Sequence, residues 1–331
     1  MKTILKVAGV VVLIAVAVLV VGAIALIRPD IPYAKLQAKY GRPGDAYMVM
    51  SEGVTVHYRD EGPRDGRVLL LVHGFSASLL DWDDWTNALS GRYRVIRLDL
   101  PGHGLTSSPA GYQPSQDRNA DLIDTFAKRL GTPRFVIGGN SMGGGVAWVF
   151  ALRHPDSLDG LVLVDAGGFP RQGPGKGGPV IFKLLQNPLA RRVLAHVDLK
   201  PLIGQGLRSA FLDPHLVTPA LVERYADFAR APGHRAILQI NQTGGHRSVT
   251  VADLPKIAVP TLVMHGEQDR LIPFADGQAF ARAIPNASLI AYPDVGHVPM
   301  EQIPRRSAAD LDRWLQTTIS VMSPPGDTAA R

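Results

Sequence analysis

The chain has 331 residues, of which 46% are hydrophobic and 19% are charged, and its formal net charge is +6. This length suits one large α/β domain with an insertion, and the composition is that of globular proteins with a substantial core. The positive charges are spread out, without the basic stripe and interleaved aromatic residues of nucleic-acid binding, so we expect no nucleic-acid partner. The absence of cysteine excludes disulfides, thiolate catalysis and thiolate metal sites.

The N-terminal part of the chain contains an apolar run from Val7 to Ile27 without a charged residue. As a helix this run would span roughly 30 Å, which matches the hydrocarbon core of a bilayer. Two lysines precede the run, and only Arg28, followed closely by Asp30, marks its other end. Because positive charge favours the cytoplasmic side, residues 1–28 predict a transmembrane anchor with a translocated C-terminal domain, on the periplasmic or extracellular side.

A cleaved signal peptide is the alternative interpretation of the same run, with Ala23 and Ala25 forming a cleavage-like pattern. The run is longer than an ordinary signal-peptide core and continues to Ile27 without a polar segment, which favours the uncleaved anchor. A buried core helix fits a terminal run that is apolar on all sides less well. With either the anchor or the signal peptide, the domain is exported, as a membrane-anchored or a secreted protein.

Short apolar strands alternate with helices through most of the remaining chain, which predicts an α/β fold with a mostly parallel central sheet. The strands are predicted at residues 54–60, 68–72, 93–98, 135–138, 161–164, 261–264 and 288–292. The helices are predicted at residues 79–90, 115–131, 141–154, 274–284 and 301–318.

The alternation stops between residues 168 and 248, where the sequence is amphipathic and helical. We interpret this block as a helical cap inserted into a core formed by residues 46–167 and 249–320. Inserted blocks of this kind usually cover the carboxyl ends of the strands, where ligands bind in open α/β sheets. Residues 29–45 are interpreted as a linker and residues 321–331 as a disordered tail.

The candidate nucleophile is Ser141, in the sequence Gly-Asn-Ser-Met-Gly at residues 139–143. This is the G-x-S-x-G pattern, and it lies between a predicted strand and a predicted helix. A serine on such a sharp turn projects its hydroxyl above the sheet, and side chains at the glycine positions would collide with neighbouring backbone. An ordinary serine in a glycine-rich turn is the alternative, and the strand-to-helix context argues against it.

A serine hydroxyl needs a base, and in this pattern the acid and then the histidine follow the serine along the chain. Asp269 and His297 each come just past a predicted strand, in that order. Asp269 would orient the imidazole and stabilise its protonated form. Rival candidates for the acid are nearby carboxyl groups and one at an earlier strand end: Glu267, Asp276, Asp294 and Asp165.

The oxyanion of an acyl-transfer intermediate needs backbone N–H donors. We expect one from Met142, directly after the nucleophile at the start of a helix, and one from Phe75, after the strand at 68–72. Six other histidines lack ligand spacing with carboxylates, so neither a metal nor another cofactor is expected. These histidines are His57, His154, His196, His215, His234 and His246.

Several motifs together resemble α/β-hydrolase-fold enzymes, over about residues 46–318: His-Gly-Phe at 73–75, Asp-Leu-Pro-Gly-His-Gly at 99–104, Gly-Asn-Ser-Met-Gly-Gly at 139–144, Pro-Thr-Leu-Val at 260–263, and Gly296-His297. The serine and proline motifs are similar to those of bacterial lipases and esterases of lipolytic family V. This resemblance implies a cap over the pocket and hydrolysis of carboxylic esters without a cofactor. The predicted anchor would hold the domain beside lipid, which suits a lipid-derived or otherwise apolar acyl substrate.

The serine motif also resembles that of hydrolases that cleave carbon–carbon bonds in products of aromatic ring fission. Their glycine-rich, asparagine-bearing oxyanion loop is replaced here by His-Gly-Phe-Ser-Ala-Ser at residues 73–78, which favours ester hydrolysis. A non-catalytic binding protein on the same fold is a further alternative, because a fold does not determine a function. The oligomeric state is not predicted.

Overall fold

The computed structural model describes residues 27–169, 187, 189–190, 194, 196–241 and 248–319. In this part of the chain, eight strands form one sheet in the order β1-β2-β4-β3-β5-β6-β7-β8. The pairs β1–β2 and β2–β4 are antiparallel, and the others are parallel. The strands are β1 (Ala46–Val49), β2 (Thr55–Glu61), β3 (Val68–Val72), β4 (Arg94–Leu98), β5 (Phe135–Asn140), β6 (Leu158–Val164), β7 (Thr261–Gly266) and β8 (Ala287–Tyr292).

The burial of the strands follows from their sequences. Every residue of β4, β5 and β7 is buried, because these strands lie inside the sheet and both of their faces are covered. At the edge, β1 alternates between half-buried and exposed residues, and Tyr47 and Val49 are exposed. The predicted parallel sheet is therefore confirmed.

Helices cover the sheet. Those of the core are α2 (Asp83–Leu89), α3 (Gln116–Arg129), α4 (Met142–Arg153), α8 (Phe274–Ala283), α9 (Pro299–Gln302) and α10 (Pro304–Trp314), with α1 (Tyr33–Tyr40) preceding β1. Short 3-10 turns lie at Ser51–Gly53, Leu79–Trp82, Pro155–Ser157, Pro214–Leu216 and Val251–Lys256, and a π turn at Leu315–Ile319 ends the described chain. Two large apolar clusters result, and α4 lies in the first of them with β3 to β6.

The described part of the predicted cap contains the helices α5 (Lys200–Ala210), α6 (Pro219–Ala229) and α7 (His234–Asn241). No strand of the sheet is formed by the residues described between 168 and 248, in agreement with the helical pattern of the sequence. A proline at the first or second position of α5 and of α6 helps each helix to begin.

The predicted linker at residues 29–45 contains the helix α1, which the sequence analysis did not predict. Leu36 of α1 is buried in a third apolar cluster with Phe228 of the cap and Leu79 and Leu105 of the core. Tyr40 packs against Phe228, and the Tyr33 hydroxyl donates to the Thr106 carbonyl oxygen. The segment 28–40 is therefore a strap that joins the cap to the core, and the isolated pattern of such a short helix did not reveal it.

The predicted anchor and tail lie almost entirely outside the described residues, which begin at Ile27 and end at Ile319. Within the described ranges, no helix has the length and apolar character needed to cross a bilayer.

Candidate active site

Ser141 occupies the turn between β5 and α4, with φ 56° and ψ −114°. A non-glycine residue rarely adopts a positive φ, so this backbone is strained. The flanking glycines make the turn possible: a Cβ on Gly139 would come within 2.2 Å of the Gly143 carbonyl oxygen, and a Cβ on Gly143 within 2.2 Å of the Val72 carbonyl oxygen. The sequence thus folds into a sharp strand-to-helix corner with the serine at its tip.

Asp269 and His297 are in contact. His297 Nδ1 lies 2.6 Å from Asp269 Oδ2, and the Asp269 side chain is fully buried. The other carboxylate oxygen of Asp269 accepts hydrogen bonds from the backbone N–H groups of Leu271, at 2.7 Å, and Ile272, at 3.0 Å. The loop after β7 therefore holds this carboxylate from one side while the histidine after β8 holds it from the other.

The charge of Asp269 is favoured by these contacts. Burial alone would raise the pKa of this carboxyl, but the nearby His297 and the N–H donors outweigh burial and lower the pKa. Asp269 is thus a carboxylate, which can fix the orientation of the imidazole and stabilise its protonated form. Among the rival acids, Glu267 is exposed, and the Asp294 side chain is 70% exposed and forms an ion pair with Arg306. In the described contacts, neither carboxyl is hydrogen-bonded to His297.

Ser141 and His297 line one cavity of about 150 Å³ beneath the cap. Its other walls are mostly apolar side chains of the cap and of two core loops: Leu194, Leu199, Leu202, Ile203, Leu207, Leu238, Leu271 and Val298. The backbone N–H of His297 donates to the carbonyl oxygen of Ala210, at the end of α5, at 2.8 Å. The cap therefore contacts the histidine directly as well as lining the cavity.

The two predicted oxyanion residues lie on either side of the serine. Phe75 lines the cavity after β3, and Met142 is the first residue of α4. Gly74 is close to the nucleophile, since a Cβ placed on it would lie 3.4 Å from the Ser141 Cβ. Ser76, the next residue of this loop after Phe75, has a φ of 61°, which indicates a tightly turned backbone beside the cavity.

Asn140 is a site residue that the sequence analysis missed. Its buried side-chain amide donates to the carbonyl oxygen of His297 at 3.0 Å and to that of Val164 at 3.2 Å. The residue before the nucleophile is thus tied to the histidine loop. A signal was present, because a polar residue at the end of a buried strand requires hydrogen-bond partners.

A second missed group is a buried polar cluster between the cap and the core, formed by Asp81, Arg224, Tyr225 and Glu301. Asp81 lines the cavity and accepts hydrogen bonds from Arg224 Nη2 at 3.0 Å and from the Tyr225 hydroxyl at 2.5 Å. Arg224 Nη2 also lies 3.7 Å from Glu301 Oε2. Asp81, the Arg224–Tyr225 pair and Glu301 are far apart in sequence and follow no motif, so only the fold brings them together.

One group of described residues has the side-chain types of a metal site: Asp165, His265 and Asp269, whose ligand atoms lie within 4.8 Å of one another. The oxygen atoms of this group accept hydrogen bonds from Gly266, Leu271, Ile272 and His297. Because N–H donors already occupy oxygens of both carboxyl groups, we interpret the group as a hydrogen-bonded network around Asp269 and not as a metal site.

Comparison with known families finds one match, described as alpha/beta hydrolase fold, over residues 67–302. This range includes the strands from β3 to β8, the described cap helices and all the candidate site residues. The resemblance inferred from the motifs is therefore confirmed.

Several relatives carry esterase, lipase or hydrolase names. The chain is 30% identical to a bifunctional esterase/perhydrolase of Acinetobacter calcoaceticus, over 76% of this chain and 92% of the relative. It is 28% identical to a 2-hydroxy-6-oxononadienedioate/2-hydroxy-6-oxononatrienedioate hydrolase of Comamonas testosteroni, over 73% of this chain and 84% of the relative. Among solved structures, a membrane phospholipase A described as a bacterial virulence factor superposes with a TM-score of 0.70 at 27% identity, over 96% of this chain and 98% of that one.

Proposed function

Because the chain belongs to the α/β-hydrolase family, we propose that it is a serine hydrolase that cleaves carboxylic esters through an acyl-enzyme on Ser141. The observation that carries this proposal is the 2.6 Å contact between His297 Nδ1 and Asp269 Oδ2, together with the cavity that His297 shares with Ser141. With Nδ1 held by the carboxylate, Nε2 is the nitrogen left to act as a base.

The proposed reaction has two halves. In the first, Ser141 Oγ attacks the ester carbonyl carbon while its proton passes to His297 Nε2, and the backbone N–H groups of Phe75 and Met142 stabilise the oxyanion. The protonated His297 then gives its proton to the leaving alcohol, and an acyl-enzyme remains. In the second half, His297 takes a proton from water, the resulting nucleophile attacks the acyl carbon, and Ser141 regains its proton as the acid leaves.

The cavity favours an apolar acyl group. Eight leucine, isoleucine and valine side chains line it, and such apolar walls stabilise a hydrocarbon chain by removing it from water. The names of the relatives, an esterase and a membrane phospholipase, support the same substrate class. We therefore propose esters of apolar, lipid-derived acids as substrates.

The direct test is hydrolysis of p-nitrophenyl esters of short and long fatty acids by the full chain in detergent. Ser141→Ala is expected to lower kcat by at least about 10⁴-fold without a change in melting temperature, because the nucleophile is lost and the fold is not. Ser209→Ala, on α5 outside the cavity lining, is the matched control and keeps the parent activity. Equal activity in Ser141→Ala and the parent would exclude Ser141, and an inactive parent would favour a binding protein.

Hydrolysis of a carbon–carbon bond is the second candidate, supported by the Comamonas testosteroni relative and by the shared serine motif. The loop at residues 73–78 lacks the asparagine and the glycine-rich sequence of the enzymes that the motif resembles. A dienoate ring-fission product offered beside a simple ester distinguishes the two reactions. Faster consumption of the dienoate would replace the ester proposal with this one.

We also propose that the apolar run before Arg28 anchors the protein in a membrane, with the domain on the exported side. The contacts at the start of the strap support the proposal that the cavity lies close to that membrane. Ile27, the last residue of the run, pairs with Val197, and the N–H of Arg28 donates to the His196 carbonyl oxygen at 2.8 Å. Val197 lies two residues before Leu199, which lines the cavity.

Two measurements test this location. Alkaline phosphatase fused after residue 45 is expected to be active, because it requires export, and an inactive fusion at normal expression would reverse the orientation. Carbonate extraction distinguishes an anchor from a cleaved leader. An anchored protein stays in the membrane fraction, and its N-terminal sequence begins at Met1 or Lys2. A secreted protein is in the soluble fraction, and its N-terminal sequence begins after the cleavage site.

A further inference from the structure

A second buried carboxyl group lies behind the candidate catalytic acid. Asp165 directly follows β6, its relative exposure is 0%, and its φ is 44°. A positive φ on an aspartate costs stability, and the proposed reaction assigns no step to this side chain. The position therefore requires a physical account of its own.

Only one oxygen of Asp165 is hydrogen-bonded in the described part of the chain. Oδ1 accepts from the N–H of Gly266 at 2.9 Å, and Oδ2 has no partner there. His265 Nε2 is 3.6 Å from Oδ1, but it is directed at the Ile272 carbonyl oxygen, to which it donates at 3.1 Å. Among the described residues, no lysine or arginine forms an ion pair with Asp165.

The Asp269 carboxylate lies next to Asp165, and one carboxylate oxygen of each residue lies within 4.8 Å of the other. Asp269 is surrounded by donors, namely two backbone N–H groups and His297 Nδ1. Two carboxyl groups this close in a dry interior cannot both be ionised at low cost, and the one with more donors keeps the charge.

The directions of the pKa values agree with this geometry. Burial, and then the charge of Asp269, raise the pKa of Asp165 well above its usual value. The other titratable groups that face the pair add no positive charge: burial lowers the pKa of His265, and burial with Asp310 raises the pKa of Tyr292, so both are neutral near pH 7.

We propose that Asp165 is a positioning residue that remains a neutral carboxylic acid, with its proton on Oδ2, so that Asp165 and Asp269 together carry one negative charge and that charge lies beside His297. The neutral acid fills the space behind Asp269 without competing for the imidazole. The catalytic part of this inference rests on the proposed function, whereas the protonation of Asp165 does not.

The decisive variant is Asp165→Asn. Asparagine has nearly the same shape, offers an N–H donor where the proton would be, and tolerates a positive φ well, so the variant is expected to fold. Asp294→Asn, which removes an exposed carboxyl from a nearby loop, is the matched control for the loss of an acid.

Thermal unfolding tests the protonation without any substrate. A carboxyl whose pKa is higher in the folded than in the unfolded chain binds its proton more tightly when the protein is folded. The free energy of unfolding therefore decreases as pH rises above about 4. Asp165→Asn lacks this loss. Its melting temperature relative to the parent is therefore expected to increase between about pH 4 and about pH 8, while that of Asp294→Asn does not. A difference that is constant or decreases with pH would overturn the proposal.

Kinetics test the positioning role. Asp165→Asn is expected to keep kcat/KM within about twofold and to leave the acid limb of its pH profile in place, since no charge is removed. Asp165→Ala is expected to lower kcat by about tenfold or more at unchanged KM, because Asp269 loses its support. A shift of the acid limb to lower pH in Asp165→Asn would mean that Asp165 was charged, and full kcat in Asp165→Ala would remove its role. Failure of ester hydrolysis itself leaves the unfolding result valid.

Discussion

The catalytic edge of the sheet and the cap above it are held together by different interactions. At the sheet edge, Ser141 is positioned by a strained backbone between two glycines, and Asp269 is held by backbone N–H groups. Apart from the backbone hydrogen bond between His297 and Ala210, the cap meets the core through the side chains of the buried polar cluster and through the ion pairs and apolar contacts of the strap.

This difference separates the reaction from the choice of substrate. Backbone geometry leaves few alternatives, so we expect the geometry of the sheet edge to tolerate changes of side chains elsewhere in the molecule. Side-chain contacts between the cap and the core can be exchanged one at a time, and each exchange alters the walls of the cavity. We therefore expect substitutions at the sheet edge to act on kcat, and substitutions in the cap to act on stability and KM.

The largest effect is expected for Asp269→Asn. The amide preserves the shape but removes the charge that supports the protonated His297, and it permits the wrong tautomer, so kcat is expected to fall by about 10⁴-fold. Steady-state hydrolysis of a p-nitrophenyl ester measures the loss, with Asp294→Asn as the control carboxyl. If Asp294→Asn lost as much activity and Asp269→Asn little, the acid would have been assigned to the wrong loop residue.

For the cap, Arg224→Met is expected to have a large effect on stability instead of on kcat. Arg224 is the cation that balances the buried Asp81 and the partly buried Glu301, and its loss is expected to reduce the free energy of unfolding by about 3–5 kcal/mol. Burial and the charge of Asp81 already raise the pKa of Glu301, so these acids bind protons more tightly when folded. The loss is therefore expected to be larger near pH 8 than near pH 5.

Urea unfolding of Arg224→Met measures this loss. Arg208→Met, which removes an exposed arginine from α5, is the matched control and is expected to have nearly the parent stability. Adding Glu301→Gln to Arg224→Met removes one of the unbalanced acids and is expected to restore part of the stability. Equal stability of the two arginine variants would mean that Arg224 does not hold the cap.

The sequence predicted the sheet edge better than the cap for a physical reason. Buried parallel strands are short apolar runs, and the residues at their carboxyl ends meet at one edge of the sheet. The G-x-S-x-G pattern at Ser141, together with the chain order and strand-end positions of Asp269 and His297, therefore predicted this edge. The strap and the edge strand β1 carry no such pattern. α1 has eight residues and one buried side chain, Leu36, and it is stable because of the cap and core residues that surround Leu36.

The same limit applies to the polar residues around the site. The hydrogen bonds of Asn140 connect positions that are 24 and 157 residues apart, and those of Asp81 cross 143 and 144 residues. No local pattern encodes such a pairing. The burial of a polar residue next to a motif indicates that a partner exists, but the fold determines which one.

A smaller effect is expected for Asn140→Ala. The Asn140 side chain connects the end of β5 to the His297 loop. Without its side-chain amide, the carbonyl oxygen of His297 loses a donor and the histidine loop can shift from the serine, so kcat is expected to fall by about 10- to 100-fold with little change in KM. The same esters measure this effect, and circular dichroism verifies the fold. An unchanged kcat would show that the Asp269 contact alone is sufficient to position His297.

The smallest effect is expected for Lys39→Met in the strap. Lys39 Nζ pairs with Glu223 and with Asp227, but its side chain is 47% exposed, and exposed ion pairs contribute at most about 1 kcal/mol. Leu36 provides the apolar contact of the same helix, so the strap is expected to stay in place without the lysine. Urea unfolding at low and high salt is the measurement, and the small loss should vanish at high salt because counterions screen exposed charges. A loss of several kcal/mol that persists at high salt would mean that the ion pairs, rather than the buried leucine, attach the strap to the cap.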